Sequence, residues 1–344
     1  MAEHTNRDGV STPPTFFTVS NAGYFPGTVA LLNSLRLTGN PGELVVLDVN
    51  LSRGQKDVLA PHCSLVKVPH EIAINPLLLK AFPALLTVSG VVVIIDSDII
   101  VTGSLSRAVD RARDGKVCVY PDTDSRRWFS EWSELFGLAG PLRRQTYVNS
   151  GFVTFSPERW PELLHRWQSL SEHIESSQTR AGGAARDTPL WDGDQDAFNA
   201  LLMSEIPAEA IEILPYDEAP TSYSARHSMR VHDVDRLTCS QAGLPSIFVH
   251  ASGTPKPWQF DGWRRQLWHD GYARLLPRVL FADDVTIRLR PADLPLWARP
   301  GRLAHLGTRG LDLAHAVSSP LPARLRSSVA SFVQRHRSVT DVAP

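Results

Sequence analysis

The chain reads as an α/β protein, a Rossmann-like, mostly parallel sheet flanked by helices with a C-terminal helical tail. Three observations predict this. Short β-branched runs alternate with amphipathic stretches, the pattern of strands joined by crossover helices. The run VVVII at 91–95 is apolar at every position, as a strand covered on both faces must be. Beyond Phe281 the composition changes: from Arg288 to Pro344 there are nine Arg and three Asp but no Lys or Glu.

Taken in order, TFFTVS (15–20) is the first strand, and FPGTVALLNSLRLTG is a helix closed by Gly39. ELVVLDVN is the second strand, SRGQKDVLA a short helix capped by Ser52, and SLVKVP the third strand. INPLLLKAFPALL reads as helical, and VVVIIDSD as a central strand. KVCVYP and GFVTFS follow as strands, then the helix PERWPELLHRWQSLSEHIESS and a Gly/Ala/Arg-rich loop from Thr179 to Thr188. A further helix starts near GDQDAFNALLM, and IEILP and SIFVHAS are late strands; there is no internal repeat.

A length of 344 residues suffices for a core that needs no staples. Lys plus Arg number 35 against 36 Asp plus Glu, so charge gives no reason to expect nucleic acid. Cys63, Cys118 and Cys239 form no CxxC pair, which argues against a zinc site or a disulfide framework and for a reducing cytoplasm. The first residues are polar, without the apolar core of an export signal, and no stretch has the length of a membrane span.

Chemistry concentrates where the apolar strand ends in Asp96-Ser97-Asp98. Ligands of open α/β sheets bind at the carboxyl ends of strands, where a polar pair is met by water or an ion. Successive residues of an extended chain face opposite sides, and Asp96 and Asp98 are expected to act together through a local turn or a shared ion. Magnesium or manganese suits the position, taking one or two carboxylates and completing its shell with substrate phosphates. Asp-x-Asp occurs five times in this chain, at 96/98, 122/124, 192/194, 194/196 and 233/235, and only the first follows a long apolar strand. The others read as solvated loops and helix starts. A second stretch, IFVHASGTPKPW, offers His250 at a strand end, Gly253 for a close backbone approach and Lys256 as a cation for phosphate. His250 would complete a carboxylate and imidazole shell with Asp96 and Asp98.

HASGTPKPW resembles the His-x-x-Gly-x-x-Lys-Pro-Trp motif of the glycogenin-like retaining glycosyltransferases, glycosyltransferase family eight, which have the GT-A fold. Four more stretches resemble that family in the same order: TVSNAGYFPG, Lys80 sixteen residues before Asp96, VNSGF at 148–152 and GDQDAFN at 193–199. Together they cover residues 15 to 270. The resemblance implies a UDP-hexose donor, glucose or galactose, a sugar-containing acceptor, and Mn2+ or Mg2+ held by Asp96, Asp98 and His250. It implies that Ser20, Asn21 and Tyr24 contact uracil and ribose, that Lys80 faces the diphosphate or sugar, and that Asp96 and Ser97 belong to the substrate side. Asn149, Asp194 and Gln195 would form the catalytic group around the sugar, with Ser150 beside it, and Gly253 and Lys256 would close over the phosphates. Ala22 departs from the acidic residue often found there, and Ala251 from the usual aromatic, which bears on base recognition and lid packing.

Plainer readings compete: Tyr24 as packing, Asn149-Ser150-Gly151 as a turn, Asp194 as a helix cap, Trp258 as a buttress. Arg126, Arg127, Arg143 and Arg144 fall in a stretch expected to line the acceptor side, where they would meet an anionic or polyhydroxylated acceptor or, as exposed arginines usually are, simply be solvated. A strand ending in Asp-x-Asp also opens haloacid-dehalogenase-like phosphatases, and a silent nucleotide-sugar binding module is a further alternative; the phosphatase leaves VNSGF and HASGTPKPW unexplained. The expected organisation is a disordered 1–14, a catalytic domain over 15–281, and a basic helical tail over 282–344. In the tail Leu321, Leu325, Val329, Phe332 and Val333 fall at helical spacing. That stripe either packs back on the domain or makes a peripheral contact with the inner face of an anionic membrane, and its shortness and paucity of aromatics favour packing.

Overall fold

Seven strands build the main sheet, and the apolar run at its centre explains the layers on either side. The structure, a computed structural model, describes residues 12–70, 75–82, 90–220, 228–253, 255–259 and 270–294. In chain order the first elements are β1 (Thr15–Ser20), α1 (Phe25–Leu37), β2 (Glu43–Asp48), α2 (Arg53–Leu59), β3 (Ser64–Lys67), β4 (Val92–Ile95), β5 (Ile99–Val101), α3 (Ser106–Arg113) and β6 (Val117–Pro121). Then come α4 (Trp132–Leu135), β7 (Val148–Phe155), α5 (Leu163–Ser171), α6 (Asp194–Ser204), β8 (Ile211–Ile213), β9 (Met229–Asp233), β10 (Thr238–Gln241), β11 (Leu244–Pro245), β12 (Phe248–His250) and α7 (Asp270–Phe281).

The sheet order is β3-β2-β1-β4-β7-β6-β8, parallel except where β7 runs against β4 and β6. In β4, Val93 and Ile95 enter the core cluster that includes α1 and α7, while Val92 and Ile94 enter the one that includes α5 and α6. Burial on both faces is why the sequence there shows no polar alternation. β9, β10 and β11 form a separate antiparallel meander, and β5 leaves the main sheet to pair with β12.

Local chemistry accounts for the ends. Ser52 and Gln55 form the capping box of α2, each side chain accepting the other's backbone N–H at 3.3 and 2.9 Å. Gly39 takes φ +68° just past α1. In 74–86 the described residues hold a 3-10 turn, Pro76–Leu78, and Ile74 and 83–86 lie outside the described residues. α5 starts at Leu163, just beyond Pro161 and six residues after the expected start at Pro157.

The tail predicted over 282–344 is described only to Leu294; its apolar stripe, the peripheral membrane contact and residues 1–11 lie outside the described residues. Ile287, Leu289 and Leu294 are buried in the cluster shared with α1 and α7. Asn33, wholly buried in α1, fastens them. Its Nδ2 donates to the carbonyls of Val279 and Ile287, both at 2.7 Å, and its Oδ1 accepts the Ile287 N–H at 3.0 Å.

Asn33→Ala strands those backbone groups away from water, so a loss of about 3 kcal/mol is expected in urea denaturation. Ending the chain after Phe281 should lower the melting temperature for the same reason. An unchanged midpoint for both variants would mean that residues 282–294 contribute nothing to the fold.

Candidate active site

One edge of the sheet gathers the polar residues. β1, β4 and β6 end there with their carboxyl termini, and β7, being antiparallel, begins there with Val148, Asn149 and Ser150. The trio Asn149-Ser150-Gly151 is therefore strand rather than turn. After Ile95 the chain turns: the Ile99 N–H donates to the Asp96 carbonyl at 3.1 Å, and the Asp96 N–H donates to the Gly151 carbonyl at 2.8 Å. That turn ends the strand, so the placing of Asp96 and Asp98 is set by the turn rather than by strand alternation. β5 then pairs with β12 so that Ile99 faces His250, and the Ala251 N–H donates to the Asp98 carbonyl at 2.9 Å.

Asp96, Asp98 and His250 each bring a ligand atom within 4.8 Å of the others. His250 Nε2 lies 3.5 Å from Asp96 Oδ2 and 3.3 Å from Asp98 Oδ1. Gly151 makes this convergence possible: a Cβ there would stand 2.7 Å from Asp96 Oδ2, His250 Cε1 and Asn149 Oδ1. Two carboxylates and an imidazole make a donor set that could hold a divalent ion.

Two lysines balance the acids. Lys80 Nζ lies 3.2 Å from Asp96 Oδ1, donates to Ser150 Oγ at 3.0 Å, and sits 3.8 Å from Asp194 Oδ2. Lys256 Nζ is ion-paired with Asp98 Oδ2 and donates to the Ala251 carbonyl at 3.1 Å. Burial by itself raises the Asp98 pKa, but Lys256 and then His250 reverse that and hold it far below the usual carboxylate range. Asp194 goes the other way: burial pushes its pKa up to about 6 despite Lys80. Its Oδ2 is buried and accepts no hydrogen bond among the described residues, with the Lys80 ammonium 3.8 Å away.

Gln195 is held at both ends. Its Oε1 accepts the Ser150 N–H at 3.0 Å, and its Nε2 donates to Asp122 Oδ2 and to Tyr147 Oη, both at 3.3 Å. Asn149 donates to the same Asp122 oxygen at 2.8 Å and accepts the Gly151 N–H at 2.8 Å. Asp122, read from the sequence as a solvated loop residue, is thus the anchor for two predicted site residues. Its position directly after a buried strand, as with Asp96, is the signal that distinguishes it. Asp196 is likewise no solvated helix start: fully buried, it takes a bidentate pair from Arg127 at 2.7 and 2.8 Å and the Tyr147 hydroxyl at 2.8 Å.

The expectation that four arginines line an acceptor surface is corrected for two of them. Arg127 is buried and also donates to the carbonyls of Arg186 and Thr188, fastening the loop before α6. Arg143 donates to the carbonyls of Leu202, Ser204 and Ile206 at the end of α6. Arg144 lies 4.0 Å over the Trp128 ring, and Arg126 is exposed. The cleft arginine is instead Arg180, which sequence reasoning passed over as loop composition.

At the first strand, Ser20 Oγ is 2.6 Å from Thr28 Oγ1 and Asn21 Oδ1 accepts the N–H groups of Gly23 and Tyr24 at 2.9 and 3.1 Å. Trp258 is buried beneath them as a buttress: its Nε1 donates to the Gly23 carbonyl at 2.8 Å, and a Cβ on Gly27 would come within 2.4 Å of its ring. Gly253 has φ +92°, a conformation that favours glycine. All the residues singled out for the site, from Ser20 to Lys256, border one cleft of about 320 Å3, joined by Val19, Arg180, Asp192 and Ser252.

No protein-family model matches the chain, and no curated protein matches it. Solved structures do. The galactosyltransferase LgtC, determined with donor and acceptor sugar analogs, is 16% identical over 78% of this chain and 98% of its own, with a TM-score of 0.53. The bifunctional glycosyltransferase WbbM, in its apo form, is 16% identical over 79% of this chain and 50% of its own, with a TM-score of 0.50. The chain has the GT-A glycosyltransferase fold, in agreement with the family resemblance carried by its motifs.

Gly151→Ala is expected to fold yet to lose manganese affinity by at least about tenfold in calorimetry, because the new methyl group forces Asp96 and His250 apart. Native-like affinity would show that the three ligands do not need this approach.

Proposed function

We propose that the protein is a metal-dependent, retaining hexosyltransferase that moves glucose or galactose from UDP to a hydroxyl of a sugar-like acceptor. The observation that carries this reading is the convergence, at one sheet edge, of Asp96, Asp98 and His250 with Lys80, Lys256 and the Asn149–Gln195 group. A GT-A fold argues against the phosphatase alternative, whose first aspartate would have to act as a free nucleophile.

Asp96, Asp98 and His250 would hold the ion, which supplies electrostatic stabilisation of the charge on the departing diphosphate. Lys256 and the backbone at Gly253 would meet the phosphates, and the Asn21 and Tyr24 region the uridine. Asp194, which borders the cleft, would take a donor-sugar hydroxyl and orient the ring. Retention by double displacement needs a carboxylate within about 5.5 Å of the general acid. Gln195 is an amide, fixed through both its oxygen and its nitrogen. Asp122 accepts Asn149 and Gln195 on one oxygen and Thr123 and the Asp124 N–H on the other. With Gln195 and Asp122 so held and Asp194 assigned to orienting the sugar beside Lys80, a front-face route is favoured in which the leaving phosphate assists the acceptor hydroxyl and the protein chiefly positions the reactants.

The test is transfer from UDP-glucose and UDP-galactose to a sugar acceptor panel, with product anomers read by NMR. Asp98→Asn should lower kcat/KM by about 3 kcal/mol of transition-state stabilisation or more. Full activity of that variant with a chelator present would sink the metal assignment. UDP should also bind far more tightly than ADP or GDP in calorimetry, and equal binding would remove the uridine assignment.

A further inference from the structure

Both aspartates of the candidate ion site already carry a cation from this chain, and the two cations are held differently. Lys80 bonds to Asp96 and Ser150 and lies near Asp194, so it keeps partners whatever else Asp96 does. Lys256 has one carboxylate, Asp98, and neutral partners in the carbonyl of Ala251 in its own loop and the Tyr24 ring, 5.4 Å away. It is 5% exposed, so water is a poor substitute for them. Its ammonium occupies one oxygen of Asp98 while His250 Nε2 faces the other at 3.3 Å.

A divalent ion drawn to Asp98 and His250 meets that ammonium at close range in a site with little solvent screening. The two cannot share the carboxylate without strong repulsion. Moving Lys256 aside leaves a buried charge that needs another anion. A diphosphate in the same cleft is such an anion, since Gly253 and Lys256 both border it. Resting on the proposed reading of the ion site, we infer that Lys256 is the resident counter-ion of Asp98, so that the site binds a divalent ion tightly only together with a diphosphate that receives the displaced ammonium.

Manganese titration of the full chain tests this, with free ion read by electron paramagnetic resonance, with and without inorganic pyrophosphate. Because pyrophosphate binds manganese directly, the decisive comparison is the ion alone. Lys256→Met should bind manganese without pyrophosphate about tenfold more tightly than the native protein, while Lys256→Arg, which keeps the charge, should not. Pyrophosphate should tighten manganese binding by the native protein much more than by Lys256→Met. If Lys256→Met does not fold, Lys256→Gln, which keeps a donor for the Ala251 carbonyl, carries the same comparison. Equal affinity of native and neutral variants for the ion alone overturns the role of Lys256 while leaving the ion site standing. Absence of manganese binding by every protein overturns the ion site itself, and the inference with it.

Discussion

The hydrogen bond from the Ile99 N–H to the Asp96 carbonyl closes the turn on which the site depends. Without it the run from Val91 to Val101 would continue as one long strand, with Asp96 and Asp98 on one face and Ser97 on the other. A strand of that length would also have no reason to leave the main sheet. The turn ends β4 and frees β5 to pair with β12. That pairing fixes His250 opposite Ile99 and thereby beside Asp98, and it carries the loop holding Gly253 and Lys256 to the same edge. Two segments about 150 residues apart in sequence meet through backbone register, and only then through their charges.

Electrostatics then determines which side chains remain available. Asp98 is ionised because Lys256 and His250 outweigh its burial, whereas Asp194 and Asp192 have pKa values raised to about 6 by burial. The difference is one of partners: Asp98 has an ammonium at hydrogen-bonding distance, while Asp194 has Lys80 only at 3.8 Å. Deeper in the same edge, Asp196 is consumed by Arg127 and Tyr147, and that pair in turn holds the loop that carries Arg180. Carboxylates of one sequence pattern therefore divide into ligand candidates, a cleft acid with a raised pKa and structural anchors according to what touches them.

This division is what the sequence leaves out. The strands from TFFTVS to SIFVHAS were legible because burial on two faces writes continuous apolar runs, and α2 because Ser52 and Gln55 announce its cap. The residues that border the cleft were legible through motif order, which survives because most of these motifs sit at strand or helix ends of one sheet edge. Asp122 was missed because Asp-x-Asp has a high background, and nothing local says that Asn149 and Gln195, some 27 and 73 positions away, donate to it. Arg127 and Arg143 misled for the converse reason: arginine in a connecting segment reads as exposed, yet both bond backbone carbonyls of distant elements. The meander β9–β11 has short, half-exposed strands whose alternation is too brief to register.

Composition and packing also place the end of the fold differently, and the reason is physical. Composition changes where charge is rebalanced toward arginine, which concerns solvent and surfaces. Packing continues as long as apolar side chains find a covered face. Ile287, Leu289 and Leu294 still do, against α1 and α7, although Arg288 and Arg290 alternate with them on the outside. Asn33 records the same continuity in polar terms, since a buried amide in a helix interior is tolerated only where its donors and acceptor are all met. It meets them by bridging Val279 in α7 and Ile287 beyond it. The helix that follows the first strand at the cleft is thus braced from behind by the residues that follow α7. The position of Tyr24 and Gly27, and of Trp258 packed against them, depends on that brace.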